Sequence, residues 1–156
     1  MDGSRRDVLK RGGGLTLLSL LAAAGWLRPE EALAEWNKAA FEAKTLDDTL
    51  KALGGSASTQ SKDIAFVSTP DIAENGAVVP IGITSAVPKT ESIAILIEKN
   101  PNMLAAVFDI PAGTEPAINT RVKMGQSSNV YAVVKADGKY YAAVKEIKVT
   151  LGGCGG

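Results

Sequence analysis

The sequence predicts an all-β protein, an immunoglobulin-like antiparallel β-sandwich of about seven strands with a short helical N-terminus. Three observations carry that prediction. From residue 63 onward apolar and polar residues alternate with a period near two, turn residues cut the pattern into seven pieces of strand length, and no helical stretch lies between them to make a parallel crossover.

The helical part comes first. Between Glu35 and Leu53 the apolar spacing is helical, with Trp36, Ala40, Phe41 and Lys44 in a first stretch. Thr45 is then placed to cap a second stretch, with Asp47 and Asp48 in its first turn, where carboxylates complement the positive end of the helix dipole. Leu46, Leu50 and Leu53 share one face, and Gly54-Gly55 stops the helix.

After the polar stretch Ser56 to Lys62 come the extended segments: about Asp63 to Ser68, Gly76 to Ser85, Ser92 to Lys99, Met103 to Ile110, Ala117 to Met124, Ser128 to Ala136 and Lys139 to Leu151. Turn chemistry separates them, in Glu74-Asn75-Gly76, Val87-Pro88, Asn100-Pro101-Asn102, Pro111-Ala112-Gly113 and Asp137-Gly138. Asp137-Gly138 predicts a tight two-residue hairpin between the last two strands. Ile118, Thr120, Val122 and Met124 alternate with Asn119, Arg121 and Lys123, as Ile147, Val149 and Leu151 do with Glu146, Lys148 and Thr150, so one face is buried and the other wet. Ile93 to Ile97 is apolar on both faces, which marks either the most central strand or a face kept for a partner subunit. No Cys-Trp-Cys pin is present, and a small barrel is the alternative architecture.

Composition excludes several function classes. Seventeen Lys and Arg balance 17 Asp and Glu, at a sequence pI of about 6.3, so no basic surplus is available to neutralise phosphates and nucleic acid is not an expected partner. With no histidine and one cysteine, histidine-based triads, Cys/His dyads and Cys/His zinc sites are ruled out. Neither a metal nor a resident cofactor is expected, and covalent chemistry comes down to one thiol.

Residues 1–34 read as an export signal. Ser4-Arg5-Arg6-Asp7-Val8-Leu9-Lys10 precedes an uncharged run from Gly12 to Leu27, and Ala32-Leu33-Ala34 supplies the small-x-small cleavage pattern, with Ala32 and Ala34 as its small residues. The run opens with three glycines and falls short of the roughly 20 apolar residues that span a bilayer, so no permanent membrane anchor is expected. The Arg5-Arg6 pair, with Ser4, Leu9 and Lys10, resembles a twin-arginine signal, although Val8 stands where that pattern usually has Phe; it implies a periplasmic location. The expected organisation is a twin-arginine signal peptide over 1–34, a helical segment over 35–55, a β-sandwich over 56–151 and a flexible carrier arm over 152–156.

Export combined with an unpaired cysteine is the anomaly, because a lone thiol in an oxidising compartment must be buried, joined to another chain, or used. That thiol lies in Gly152-Gly153-Cys154-Gly155-Gly156. Four flanking residues without Cβ atoms leave Cys154 sterically naked and able to enter a narrow channel on another protein. Three residues at 3.3–3.6 Å each carry its Cα up to about 10 Å past Leu151. No histidine exists to activate it, and the nearest basic residue in sequence is Lys148. The pattern describes a cysteine that is acted upon, in a covalent substrate carrier rather than an enzyme.

Gly152-Gly153-Cys154-Gly155-Gly156 after an exported β-rich chain resembles the SoxY family, the sulfur-carrier subunits of bacterial thiosulfate oxidation. The likeness extends to Pro70-Asp71-Ile72-Ala73-Glu74-Asn75-Gly76, Val79-Pro80, Glu98-Lys99-Asn100-Pro101 and Lys123-Met124-Gly125-Gln126. The resemblance implies a heterodimer with a SoxZ-like subunit, and a sulfur adduct carried covalently on Cys154 with Gly152, Gly153, Gly155 and Gly156 as its arm. It further implies transient partners: a c-type cytochrome that attaches thiosulfate oxidatively, a sulfate-releasing hydrolase, and a sulfane dehydrogenase. Two alternatives stand beside it. One is a ubiquitin-like carrier whose Gly155-Gly156 carboxylate becomes a thiocarboxylate; the other is an exported β-sandwich interaction module with an intermolecular disulfide.

Overall fold

The computed structural model describes residues 37–150. Two short helices, α1 (Lys38–Glu42) and α2 (Leu46–Ala52), precede nine strands: β1 (Ser58–Gln60), β2 (Ile64–Val67), β3 (Ile72–Ala73), β4 (Val79–Ser85), β5 (Thr90–Ile97), β6 (Leu104–Asp109), β7 (Ala117–Val122), β8 (Ser128–Ala136) and β9 (Lys139–Val149). Seven of these are the expected extended segments. Thr45 caps α2 as expected: its Oγ1 accepts from the Asp48 N–H at 3.1 Å and donates to the Asp48 carboxylate at 2.7 Å.

The seven main strands divide between two sheets. One has the order β2-β4-β7 and the other β9-β8-β5-β6, so the first, second and fifth main strands oppose the third, fourth, sixth and seventh. That partition is the immunoglobulin-like sandwich, with two separate sheets rather than a barrel. The pairing of the main strands is antiparallel throughout. The two additional strands depart from the purely antiparallel expectation, since β1 and β3 both lie parallel along β9. They are three and two residues long, too short to leave a periodic signal.

Asp137 and Gly138 both have positive φ, 50° and 72°, and join Ala136 to its paired neighbour Lys139. This backbone is that of the predicted two-residue hairpin, whose twist matches the strands it connects. Pro80 lies on β4 beyond the end of β2, whose pairing stops at Gly82, so the missing N–H leaves that side of the ladder intact.

The interior of the sandwich is aliphatic. Ile81, Ile83 and Ile118 from the small sheet meet Ile93, Ile95, Ile97, Val130, Ala132, Val134 and Ile147 from the large one. The structure also decides between the two readings of the Ile93 to Ile97 segment. β5 is an interior strand between β8 and β6, and its other face, Ala94 and Leu96, packs under Ala40 and Leu50 of the helices together with Val133, Tyr140 and Ala142. The chain's own N-terminal segment covers that face, and no apolar strip of β5 remains for a partner subunit.

The helices are tied down at both ends of their connection. Asn37 caps α1 through the Ala40 N–H and donates its amide to the Ala52 carbonyl at 2.7 Å, while the Tyr140 hydroxyl donates to the Leu53 carbonyl at 2.5 Å. Gly54 takes a φ of 92°, and a Cβ on Gly55 would stand 2.6 Å from the Tyr140 ring, so glycine is required where the helix turns onto the sheet.

Leu50 is 1% exposed and is the largest fully buried side chain that the helices contribute beneath this face. Leu50→Ala is expected to lower unfolding free energy by roughly 2–5 kcal/mol in urea titrations. A loss near zero would show that the helices contribute nothing to the sheet they cover.

Candidate functional site

Cys154 and its arm Gly152, Gly153, Gly155 and Gly156 lie outside the described residues, as do Arg5, Arg6, Ala32 and Ala34. What the structure positions is the root from which the Cys154 segment departs, the last turn of pairing on β9.

That root is held from both sides. The β8 ladder ends at Ser128 opposite Ile147, and one residue earlier Ser127 continues it with a side chain: its Oγ accepts from the Val149 N–H at 2.9 Å and donates to the Val149 carbonyl at 3.4 Å. On the other edge the Lys148 N–H donates to the Asp71 carbonyl at 2.9 Å and the Thr150 N–H to the Ala73 carbonyl at 3.0 Å, flanking the two-residue β3 pairing. The strand is thus bonded on both edges up to Thr150.

Side chains reinforce these backbone bonds. Lys145 Nζ bridges to the Asp71 carboxylate at 3.0 Å and donates to the Thr69 carbonyl at 2.5 Å, binding the 69–71 segment to β9. Its side chain is 24% exposed while that of Asp71 is 88% exposed, so the backbone carbonyl is the better sheltered of its two partners. Ala73 turns inward into the core.

The four motifs singled out in the sequence meet here. Gly76 lies so close to the root that a Cβ would stand 2.4 Å from the Met124 carbonyl oxygen and 2.8 Å from Val149 Cγ1, and its own carbonyl accepts from the Met124 N–H at 2.7 Å. The Asn100 amide donates to the Lys123 carbonyl at 2.8 Å, and its oxygen accepts from the Gly125 N–H at 3.3 Å. Val79 is in register with Val122 on β7. The Lys99 N–H donates to Ser128 Oγ, and the Glu98 carboxylate accepts from Asn129 Nδ2 at 2.8 Å. Segments 70–76, 79–80, 98–101 and 123–126 therefore form one hydrogen-bonded collar at the end of the sandwich where β9 stops.

The chemistry of the collar is that of a mount. The hydroxyls of Ser127, Ser128 and Thr150 are engaged with backbone groups, and Asp71 and Glu98 are bonded to Lys145 and Asn129. Among the described residues no group of three acidic side chains stands ready to hold a metal. Sequence reasoning did not find Ser127, Lys145 or β3. Pro70-Asp71 and Asn75-Gly76 carry turn signals, and nothing in a linear pattern says that a two-residue piece between them will lie parallel to a strand some 75 residues later.

Residues 50–154 match the family described as "Sulfur oxidation protein SoxY". Among solved structures, the sulfur carrier protein SoxY from Chlorobium limicola f thiosulfatophilum is 38% identical, with a TM-score of 0.61 over 68% of this chain and 96% of that one. A superoxide reductase (neelaredoxin) from Ignicoccus hospitalis is 18% identical, with a TM-score of 0.49 over 64% of this chain and 87% of that one. No curated protein matches the chain.

Gly76→Ala is expected to push the Met124 strand end away from β9 and to speed hydrogen exchange at the Thr150 amide, at a cost of about 1–3 kcal/mol in stability. Ser127→Ala should cost about 1 kcal/mol and expose the Val149 amide alone. Unchanged exchange at both amides in both variants would mean that the root is not held by these contacts.

Proposed function

The chain belongs to the SoxY family of sulfur oxidation proteins, and from that premise we propose that it carries sulfur covalently on Cys154, in the periplasm, for partner enzymes that perform every chemical step. Family membership makes it a sulfur-carrier protein of the Sox system. The finer reading concerns the cysteine, its arm, its location and the species it bears.

The observation that carries this reading is the mount beneath the arm. Ala73 holds Thr150 through its carbonyl and Ser127 holds Val149, with Gly76 packed against Val149 and Met124, and the next residues but one are Gly152-Gly153-Cys154-Gly155-Gly156. A fixed root followed by residues without side-chain bulk is what a swinging thiol needs: the root sets where the arm begins, and the glycines let it follow the walls of a foreign channel. A collar whose hydroxyls and carboxylates are committed to structural bonds leaves activation of the thiol to the receiving protein.

The reaction sequence follows from the adduct. A c-type cytochrome joins the Cys154 thiolate to the terminal sulfur of thiosulfate and takes up two electrons, leaving a cysteine-S-thiosulfonate. A hydrolase adds water across the bond to the sulfonate sulfur, releasing sulfate and two protons and leaving a persulfide. A sulfane dehydrogenase then oxidises the outer sulfur with three waters to a sulfonate, releasing six protons and passing six electrons to a c-type cytochrome. A SoxZ-like subunit is the standing partner. Arg5 and Arg6 direct export by the twin-arginine route, with cleavage after Ala34.

The sandwich itself speaks against the thiocarboxylate alternative, since a β-grasp carrier packs a helix across its sheet from within the strand order, and no helix separates the described strands here. The disulfide-linked interaction module predicts a different mass.

In a reconstituted thiosulfate-oxidising system Cys154→Ser is expected to abolish turnover with fold and partner binding retained, and replacing Gly153 and Gly155 together by Val to slow it. Native protein should show sulfur-containing mass increments at Cys154 that disappear on reduction. Full turnover in the serine variant would sink the carrier reading, modification at the Gly156 carboxylate would favour the thiocarboxylate, and a disulfide to another chain would favour the interaction module. Export is tested by Arg5→Lys with Arg6→Lys, for which unchanged periplasmic accumulation would rule out the twin-arginine route.

A further inference from the structure

Two glycines among the described residues follow an Asn or an Asp, in Asn75-Gly76 and Asp137-Gly138. A glycine after asparagine has no Cβ to keep its nitrogen from closing on the side-chain amide, so such a step is open to spontaneous deamidation wherever the fold leaves its atoms free. At Asn75-Gly76 they are free. Asn75 is exposed, and its side-chain oxygen accepts from the Ala77 N–H at 2.9 Å. Its Nδ2 and the Gly76 N–H make no hydrogen bond among the described residues. We propose that Asn75-Gly76 is a self-modification site of the folded protein, at which the asparagine becomes a succinimide and then aspartate and isoaspartate, and that the isoaspartate form releases the collar's hold on Gly76.

The turn supplies the parts of the reaction. Solvent base takes the unbonded Gly76 N–H proton, and the nitrogen adds to Asn75 Cγ. Negative charge develops on Oδ1, where the Ala77 N–H already donates, so that backbone group stabilises the tetrahedral intermediate as an oxyanion hole does in acyl transfer. The Cγ–Nδ2 bond then breaks, and Nδ2 leaves with a proton as ammonia. The turn is closed by the Val78 N–H on the Asn75 carbonyl at 3.3 Å, which holds both reacting ends together and lowers the entropy cost of ring closure. Water next adds across one of the two imide C–N bonds. Opening at Cγ leaves aspartate in an ordinary backbone, while opening at the main-chain carbonyl leaves isoaspartate, whose backbone runs through Cβ and Cγ. Asp137-Gly138 is not equivalent: its carboxylate is ion-paired with Lys89 at 3.2 Å, and an ionised carboxylate resists attack and has no ammonia to lose.

Isoaspartate lengthens the chain by one methylene beside Gly76, and no slack exists there to absorb it. A Cβ on Gly76 would already stand 2.4 Å from the Met124 carbonyl oxygen and 2.8 Å from Val149 Cγ1, while the Gly76 carbonyl holds the Met124 N–H at 2.7 Å. The bonds it disturbs are that collar bond and the Val78 bond that closes the turn.

The test ages the full exported chain in mildly alkaline buffer at physiological temperature, beside the same chain unfolded in urea. Peptide masses locate each site where ammonia has been exchanged for water. Asn75 is expected to convert first among the described asparagines, and in the folded protein at least as fast as in the unfolded one. The isoaspartate form, separated chromatographically, should exchange its Met124 and Val78 amides about fivefold faster or more, the loss of roughly one hydrogen bond's protection. Asn75→Asp, which adds the charge without the methylene, should exchange at the rate of the unmodified protein. Conversion in urea but not in the folded chain, conversion first at another asparagine, or unchanged exchange at Met124 in the isoaspartate form overturns the proposal. So does Asn75→Asp exchanging as fast as isoaspartate, because charge rather than chain length would then be the cause. Cys154 takes no part in these steps, so none of these outcomes bears on the carrier reading.

Discussion

The strand β9 is the member on which the rest of the structure depends, because it is bonded to three others. β8 runs beside it over its length, β1 lies along its beginning and β3 along its end. Between β1 and β3 the chain leaves this edge, adds β2 to the opposite sheet and returns. The stretch of chain that carries β2 is thereby tied to β9 at both its ends, and the unpaired edge that β9 would present to solvent is shortened to a few residues.

The large sheet that β9 belongs to is covered unevenly. The helices seal the outer face of the large sheet over Ala94, Leu96 and Val133, so both faces of β5 are covered. Toward β9 the cover thins. Val144 is 43% exposed and Ile72 57% exposed, both on or beside β9. There hydrogen bonds to Ser127, Asp71, Ala73 and Asn100 add to the burial of Val79, Met124 and Ile147. The end of the sandwich where β9 stops thus combines apolar burial with directional contacts.

The parts of this fold that a sequence shows are those set by local chemistry. Asp137-Gly138 dictates its turn because both positions need positive φ, and Thr45 caps α2 through a residue three positions away. Strand identity followed from period two. The ambiguity over Ile93 to Ile97 was real, since whether Ala94 and Leu96 meet a helix or a partner depends on Leu50, more than 40 residues earlier, and not on the segment itself. Cys154 stood out by its glycine neighbours, while its mount did not: Ser127 meets Val149 across 22 residues and Thr150 meets Ala73 across 77. Loop motifs recognised as separate strings became one collar only when the sandwich closed.

The two-sided bonding of β9 also bears on force. A protein that grips the Cys154 segment and pulls applies tension at the end of β9, along the strand axis. The bonds to β8, Ser127, Asp71 and Ala73 lie across that axis, so they share the load in shear instead of breaking one after another as in a peeled hairpin. Tension applied beyond Thr150 therefore meets a strand that is bonded along both of its edges.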